Sequence, residues 1–217
     1  MSRERTEIFR ESNTKEKEKI IVLAFEGNNT ERIYFEELKG DVRFNDQLIY
    51  LHLLVRKTDD TKSAPNHVFN QLKTEAKDEY NFDIMDELWM IIDRDRWQNI
   101  PKTIELCKVE GNMFVAASNP CFELWLLLHV KNYNEITEQE RTKLLKNPKI
   151  SNEKRYIDKY IADILGDGYN KNNPRSERFL SHIKFTTQQA ETLDTEKEDF
   201  LSNLGSHIYK IASKIIK

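Results

Sequence analysis

Two short apolar runs, each followed at once by acidic residues, constrain the fold of this chain more than any other feature of its sequence. Residues 20–25 spell IIVLAF and precede Glu26. Residues 88–92 spell LWMII and precede Asp93 and Asp95. Runs that are this short, apolar throughout and rich in β-branched residues are typical of buried parallel strands. The carboxylates would then lie at the carboxyl edge of the sheet, where open α/β sheets bind their ligands.

Strand and helix patterns alternate along the first 130 residues. Strands are predicted at 20–25, 48–55, 87–92 and 113–117. Helices are predicted at 31–38 with Thr30 as N-cap, and at 65–80, 101–109 and 121–130. Because right-handed crossovers connect such units, the alternation predicts an α/β fold with a Rossmann-like parallel sheet flanked by helices.

The chain divides into three predicted regions. Residues 1–19 are charged and predict a polar N-terminal tail. Residues 20–130 carry the α/β pattern, and residues 131–217 predict an α-helical C-terminal extension that packs on it and has no strand of its own. Within the extension, the Gly- and Asn-rich stretch 167–174 predicts a loop, and 201–216 predicts a final helix.

Composition restricts the class of protein. None of the apolar runs approaches the length of about 18 residues that a membrane-spanning helix needs, and the polar N-terminus does not resemble a secretory signal. We therefore expect a cytoplasmic protein in which Cys107 and Cys121 are reduced thiols.

Charge is distributed unevenly along the chain. The net charge is −3, which does not by itself indicate nucleic-acid binding. Residues 141–184, however, hold eleven basic against five acidic side chains, and residues 75–95 hold eight acidic against two basic. An acidic metal centre beside a basic arm would give this pattern, and so would two solvated helical faces.

The acidic motifs favour a divalent cation. Glu26, Asp93 and Asp95 would place three carboxylates at one edge of the sheet, and oxygen-rich sites of this kind suit Mg²⁺. Each residue also has an ordinary interpretation, because Asp93 could cap a helix, Asp95 could be solvated and Glu26 could belong to a turn. Glu31 could complete a metal shell or interact with a helix dipole. Glu123 lies in an apolar helix, so it must be exposed or paired with a metal or a base.

Phosphate-cradling glycine motifs and nucleophilic triads are not evident in the sequence.

Three segments instead resemble the RloB family, a small bacterial and archaeal group with a Toprim-type fold. They span residues 22–35, 91–97 and 118–129, in the same order as in that family.

The resemblance implies a Toprim-like fold and a function. In Toprim domains a Glu after the first strand and an Asp-x-Asp after a later strand bind Mg²⁺ and support phosphoryl-transfer chemistry on nucleic acid. Glu26, Asp93 and Asp95 match those positions. RloB-like proteins are often encoded beside an ATPase and are associated with phage defence by abortive infection. The resemblance thus implies a nuclease that uses Mg²⁺ or Mn²⁺ and has an AAA- or ABC-type ATPase partner.

The expected site residues fall into three groups. The catalytic candidates are Glu26, Asp93, Asp95, Glu123 and Lys171. The metal-ligand candidates are Glu26, Asp93, Asp95 and Glu31. The candidates for binding nucleic acid, whether DNA or RNA such as tRNA, are Lys154, Arg155, Arg175 and Arg178. A non-catalytic Toprim-like module that binds nucleic acid or an ATPase is the alternative, and a Lys or Arg side chain between the carboxylates would favour it.

Overall fold

The computed structural model describes residues 19–27, 29–55, 65–76, 82–94, 100–152, 154–196 and 202–217. The strands in these residues are β1 (Lys19–Phe25), β2 (Ile49–Leu53), β3 (Glu87–Asp93), β4 (Met113–Asn119) and β5 (Gly205–Ser206). The helices are α1 (Thr30–Gly40), α2 (Pro65–Gln71), α3 (Ile100–Glu110), α4 (Glu123–Val130), α5 (Glu138–Lys146), α6 (Tyr156–Leu165), α7 (Glu177–Leu180), α8 (Ile183–Glu196) and α9 (Ile208–Ile215). A π-helical turn, Leu72–Ala76, continues α2, and a 3₁₀ turn, Tyr133–Glu135, follows α4.

The strands form one mostly parallel sheet in the order β2-β1-β3-β4-β5. Strands β1 to β4 pair in parallel, whereas β5 runs antiparallel to β4. The predicted α/β fold with a parallel sheet is therefore confirmed. The chain leaves β1 toward one side to form β2 and then crosses to the other side to form β3. A topological switch point, the usual ligand position in such sheets, thus lies between the carboxyl ends of β1 and β3.

Both faces of the sheet are buried, which explains why its central strands are apolar throughout. Ile21, Leu23 and Phe25 point into a core shared with α1, α4 and the later helices. Val22 and Ala24 alternate with them and pack in a second core, with α2, its π-helical turn and α3. No helix in the described ranges has both the length and the apolar character needed to cross a membrane.

Three local predictions are wrong, and one of them is the final helix predicted at 201–216, which begins only at Ile208. Thr30 is the first residue of α1 and not its N-cap, and its hydroxyl donates to the carbonyl of Lys171 in a distant loop. The C-terminal third does contain a strand, because Ser206 of β5 pairs with Ser118 of β4 and their buried hydroxyls lie 2.8 Å apart. The loop predicted at 167–174 is confirmed between α6 and α7.

Candidate functional site

Glu26 and Asp93 lie side by side at the topological switch point. The register that pairs Phe25 with Ile91 brings the ends of β1 and β3 together. Glu26 Oε2 accepts a hydrogen bond from the backbone N–H of Asp93 at 2.9 Å. Asp93 Oδ1 in turn accepts from the backbone N–H of Phe122, just before α4, at 2.8 Å. The two carboxylates are therefore held by main-chain donors, one of them at a helix N-terminus that favours negative charge.

Glu31 brings a third carboxylate to this edge from the first turn of α1. Its carboxyl group lies directly against Gly27, where a β-carbon would come within 2.7 Å of Glu31 Cδ and closer still to both oxygens. Gly27 is thus required for this close approach, since any side chain would displace the Glu31 carboxyl. The glycine after the first strand serves the packing of an acidic side chain.

The environment of Glu31 is rich in negative charge. Burial and repulsion from Glu123 and Glu26 raise the pKa of Glu31 to about 7, although Lys171 partly offsets them. A carboxyl group with such a pKa can hold or release a proton near neutral pH. Burial is the largest cause of this raised pKa, and repulsion from the two neighbouring glutamates adds to it.

Glu123 provides a fourth carboxylate and pairs with a lysine. It is the first residue of α4 and is buried. Lys171 Nζ lies 3.0 Å from Glu123 Oε1 and 3.3 Å from Asp158 Oδ1, and the Tyr169 hydroxyl donates to Glu123 at 3.5 Å. Burial alone would lower the pKa of Lys171, but attraction from Glu123 and Asp158 raises it above its ordinary value. The lysine is therefore positively charged in this site.

Hydrogen bonds hold the loop that carries Lys171 against the N-terminus of α1. The Thr30 hydroxyl donates to the Lys171 carbonyl at 3.0 Å, and the Asn29 amide donates to Asn172 Oδ1 at 2.8 Å. Residues from the C-terminal third thereby reach the same edge of the sheet as Glu26. The site is consequently built from both ends of the chain.

The donor chemistry at this edge suits a hard divalent cation, because the groups are carboxylates. Among the residues that the structure describes, no three His, Cys, Asp or Glu side chains are already arranged to hold a metal ion. Asp95, the third predicted ligand, lies outside the described residues. A cation would therefore need some rearrangement of the described carboxylates or the participation of Asp95.

The predicted nucleic-acid-binding residues separate into two places. Lys154 is exposed, and Arg155 is the N-cap of α6, where its backbone N–H donates to Asp158 and its guanidinium donates to the Asn147 carbonyl. This pair lies next to the acidic cluster, because Asp158 contacts Lys171. Arg175 and Arg178 both pair with Asp167 farther along the loop.

Three residues of the site carried no recognised sequence signal. Asp158 stands three residues after Arg155, a spacing that predicts only a helix cap. Tyr169 lies in a stretch that indicates a loop and nothing more. Gly27 follows Glu26 in a pair that is ordinary in turns, and only the position of Glu31 reveals its role.

Comparison with known proteins identifies the family of the chain. The family model described as "RloB-like protein" matches residues 21–215, nearly the whole sequence. The chain belongs to the RloB-like family. Neither the curated proteins nor the solved structures include a match to this RloB-like chain. The match extends through β5 and α9, so it includes the C-terminal third that supplies Lys171.

Proposed function

We propose that this RloB-like protein is a Toprim-type, divalent-metal-dependent nuclease. The observation that carries the proposal is the position of Glu26 and Asp93, which are joined by a hydrogen bond at the topological switch point of the sheet. Glu31 and Glu123 add two buried carboxyl groups beside them. Carboxylates concentrated in this way on a parallel sheet support phosphoryl chemistry better than they support a purely structural role.

Each residue of the site has a separate proposed role. Glu26 and Asp93 would hold Mg²⁺ or Mn²⁺, together with Asp95 and Glu31. When bound, the cation supplies charge neutralisation and an activated water at the scissile phosphate. Glu31, whose pKa is about 7 without a cation, would release its proton when it binds the ion. Lys171, whose side chain is 37% exposed, can place its ammonium beside the departing oxygen.

Nucleic acid is the proposed substrate, and an ATPase is the proposed partner. Lys154 and Arg155 lie at the start of α6, beside the Asp158–Lys171 contact, where they could hold backbone phosphates. Residues 141–184 also hold more basic than acidic side chains, a balance that would favour contact with a phosphate backbone. The ATPase partner and a role in abortive infection rest on the family resemblance.

Cleavage assays with an isosteric variant test the proposal. Labelled tRNA, single-stranded DNA and plasmid are incubated with the protein in Mg²⁺ or Mn²⁺ and in chelator. Asp93→Asn can still accept from the Phe122 N–H but loses its charge, so cleavage should fall by about a hundredfold or more. Asp163→Asn on the exposed face of α6 is the matched control and should retain activity. Equal cleavage by Asp93→Asn and the parent protein would refute the assignment.

One observation favours the alternative of a non-catalytic binding module. Lys171 already compensates Glu123 and Asp158, as a structural ion-pair cluster would. A binding module would retain nucleic acid in chelator and would cleave none of the three substrates, with or without an ATPase partner.

A further inference from the structure

Resting on the proposed function for the choice of ligand, we propose that a pocket beside helix α8 binds one unstacked base of single-stranded nucleic acid. The pocket lies between α8 and the 3₁₀ turn that follows α4, and its volume is about 260 Å³. It is smaller than the clefts of about 300 to 1,000 Å³ that hold drug-sized ligands, so a single ring system matches it better. We call it the amide pocket. Two aromatic rings and four side-chain amides line it, those of Tyr133, Phe185, Asn132, Asn134, Gln188 and Gln189.

The chemistry of the lining matches a nucleobase. A base has two faces that stack on aromatic rings, and its edge carries both hydrogen-bond donors and acceptors. A side-chain amide also offers a donor group and an acceptor, so it can form a bidentate pair with such an edge. None of the lining side chains is charged. A neutral heterocycle therefore fits the amide pocket better than an isolated anion or cation does.

The walls of the amide pocket are held in place by contacts within the protein. Gln189 Oε1 accepts from the Tyr133 N–H at 2.7 Å, and Gln189 Nε2 donates to the Leu128 carbonyl at 2.8 Å. The guanidinium group of Arg141 lies 4.1 Å from the centroid of the Tyr133 ring and donates to the Tyr133 carbonyl at 3.1 Å. These contacts fix the 3₁₀ turn against α8, so a base would enter a preformed site at a lower cost in ordering.

Other lining groups are available to a ligand. Phe185 is 44% exposed, and its ring contacts no other aromatic ring in the described part of the chain. Gln188 and Asn134 are exposed, and within the described residues their side-chain amides make no hydrogen bond. Phe185 and Gln188 are three positions apart on α8, so their side chains lie on the same face of the helix. The pocket thus combines a ring for stacking with an amide for pairing.

The surroundings of the pocket suit a phosphate backbone. Lys184 is exposed, lies one helical turn before Gln188 and makes no ion pair with another described residue. It can hold the phosphate of the nucleotide whose base enters the pocket. The pocket begins just after the end of α4, whose first residue is Glu123, and the eight residues of α4 span about 12 Å. A single strand of a few nucleotides is long enough to cover that separation.

Fluorescence anisotropy in chelator measures strand binding without cleavage. Labelled RNA and DNA single strands of mixed sequence are compared with abasic strands of the same length, which keep the sugars and phosphates. Phe185→Ala removes the stacking ring and should weaken binding of the base-containing strands by about tenfold, with no change for the abasic strand. Phe185→Tyr keeps a ring and should retain the affinity. Leu106→Ala, which removes a similarly exposed apolar side chain from α3, should change neither affinity.

Three other results would overturn the proposal. The first is the absence of measurable binding of any single strand by the parent protein. The second is an unchanged affinity of Phe185→Ala for the base-containing strands. The third is an equal loss for base-containing and abasic strands, or a shallower dependence of the affinity on salt, because either would show a contact with the backbone and not with a base.

Crosslinking of the unaltered protein covers the case in which Phe185→Ala does not fold. Strands that carry 5-iodouracil crosslink to adjacent aromatic side chains under ultraviolet light, and mass spectrometry identifies the modified residue. A crosslink at Tyr133 or Phe185 would support a base in the amide pocket. The absence of crosslinks at both rings would contradict it.

These measurements distinguish the amide pocket from the nuclease activity, because chelator prevents metal-dependent cleavage. Base-dependent binding that is lost in Phe185→Ala, without cleavage of any substrate in Mg²⁺ or Mn²⁺, would refute the nuclease and leave the pocket standing. Metal-dependent cleavage by a protein whose strand binding does not depend on Phe185 would refute the pocket alone.

Discussion

Replacing Glu31 by glutamine should stabilise the protein at pH 8 and have much less effect at pH 5. Burial and the neighbouring carboxylates raise the pKa of Glu31 from 4.5 to about 7. The folded state therefore binds a proton more tightly than the unfolded chain does. The stability associated with the protonated carboxyl is complete below about pH 4.5 and is lost as the pH rises through about 7. At about 1.4 kcal/mol for each pKa unit, ionised Glu31 costs roughly 3 kcal/mol above pH 7.

Urea denaturation in the presence of chelator, followed by tryptophan fluorescence between pH 5 and pH 8, measures this cost. Because glutamine cannot ionise, the stability of Glu31→Gln relative to the parent should rise by about 2 to 3 kcal/mol across that range. Glu36→Gln lies on the exposed side of the same helix, where it removes only a surface ion pair with Arg32. Its effect should stay within about 1 kcal/mol at every pH. A pH-independent difference for Glu31→Gln would refute the raised pKa of Glu31 in the folded protein.

Three further outcomes follow from the structure. Burial lowers the pKa of His129 to about 3. The stability that its neutral ring contributes is therefore complete above about pH 6.5 and should fall by about 2 kcal/mol between pH 7 and pH 5. Urea denaturation of His129→Gln should not show this pH-dependent loss of stability. Gly27→Ala should displace the Glu31 carboxyl, which is the end of a flexible side chain, and should therefore weaken Mn²⁺ binding in calorimetry while changing the unfolding free energy by less than about 1 kcal/mol; an unchanged Mn²⁺ affinity would contradict the close contact. Ser206→Ala removes the hydroxyl that pairs with the buried Ser118 hydroxyl and should lower the unfolding free energy by about 1 to 3 kcal/mol. An unaltered denaturation midpoint would show that the contact between β4 and β5 contributes little to stability.

The central sheet could be predicted because its signals are local. The runs that became β1 and β3 are apolar at every position, and a strand buried on both faces needs that composition. The prediction for β3 ended at Ile92, one residue before the observed end. The positions of Glu26 and Asp93 at the carboxyl edge followed from the direction that parallel strands share. These inferences needed only a pattern along the chain and the geometry of a parallel sheet.

Other features depended on contacts between distant residues. The strand β5 is two residues long, too short for any periodicity, and exists because Gly205 and Ser206 lie against β4. Asp158 has the sequence context of a helix cap, and only the fold brings Lys171 to within 3.3 Å of it. Lys171 was recognised as a basic side chain, but its partners lie 48 and 13 positions earlier, at Glu123 and Asp158.

The sequence by itself therefore determined the class of fold and the edge of the sheet at which the carboxylates lie. The tertiary structure alone decided how their charge is balanced, because burial and separation set the pKa of Glu31 and the pairing of Lys171. Periodicity along the chain reports which residues are buried. It contains no information about which charged groups come into contact when a hydrogen bond from Thr30 to Lys171 holds the loop between α6 and α7 against the start of α1.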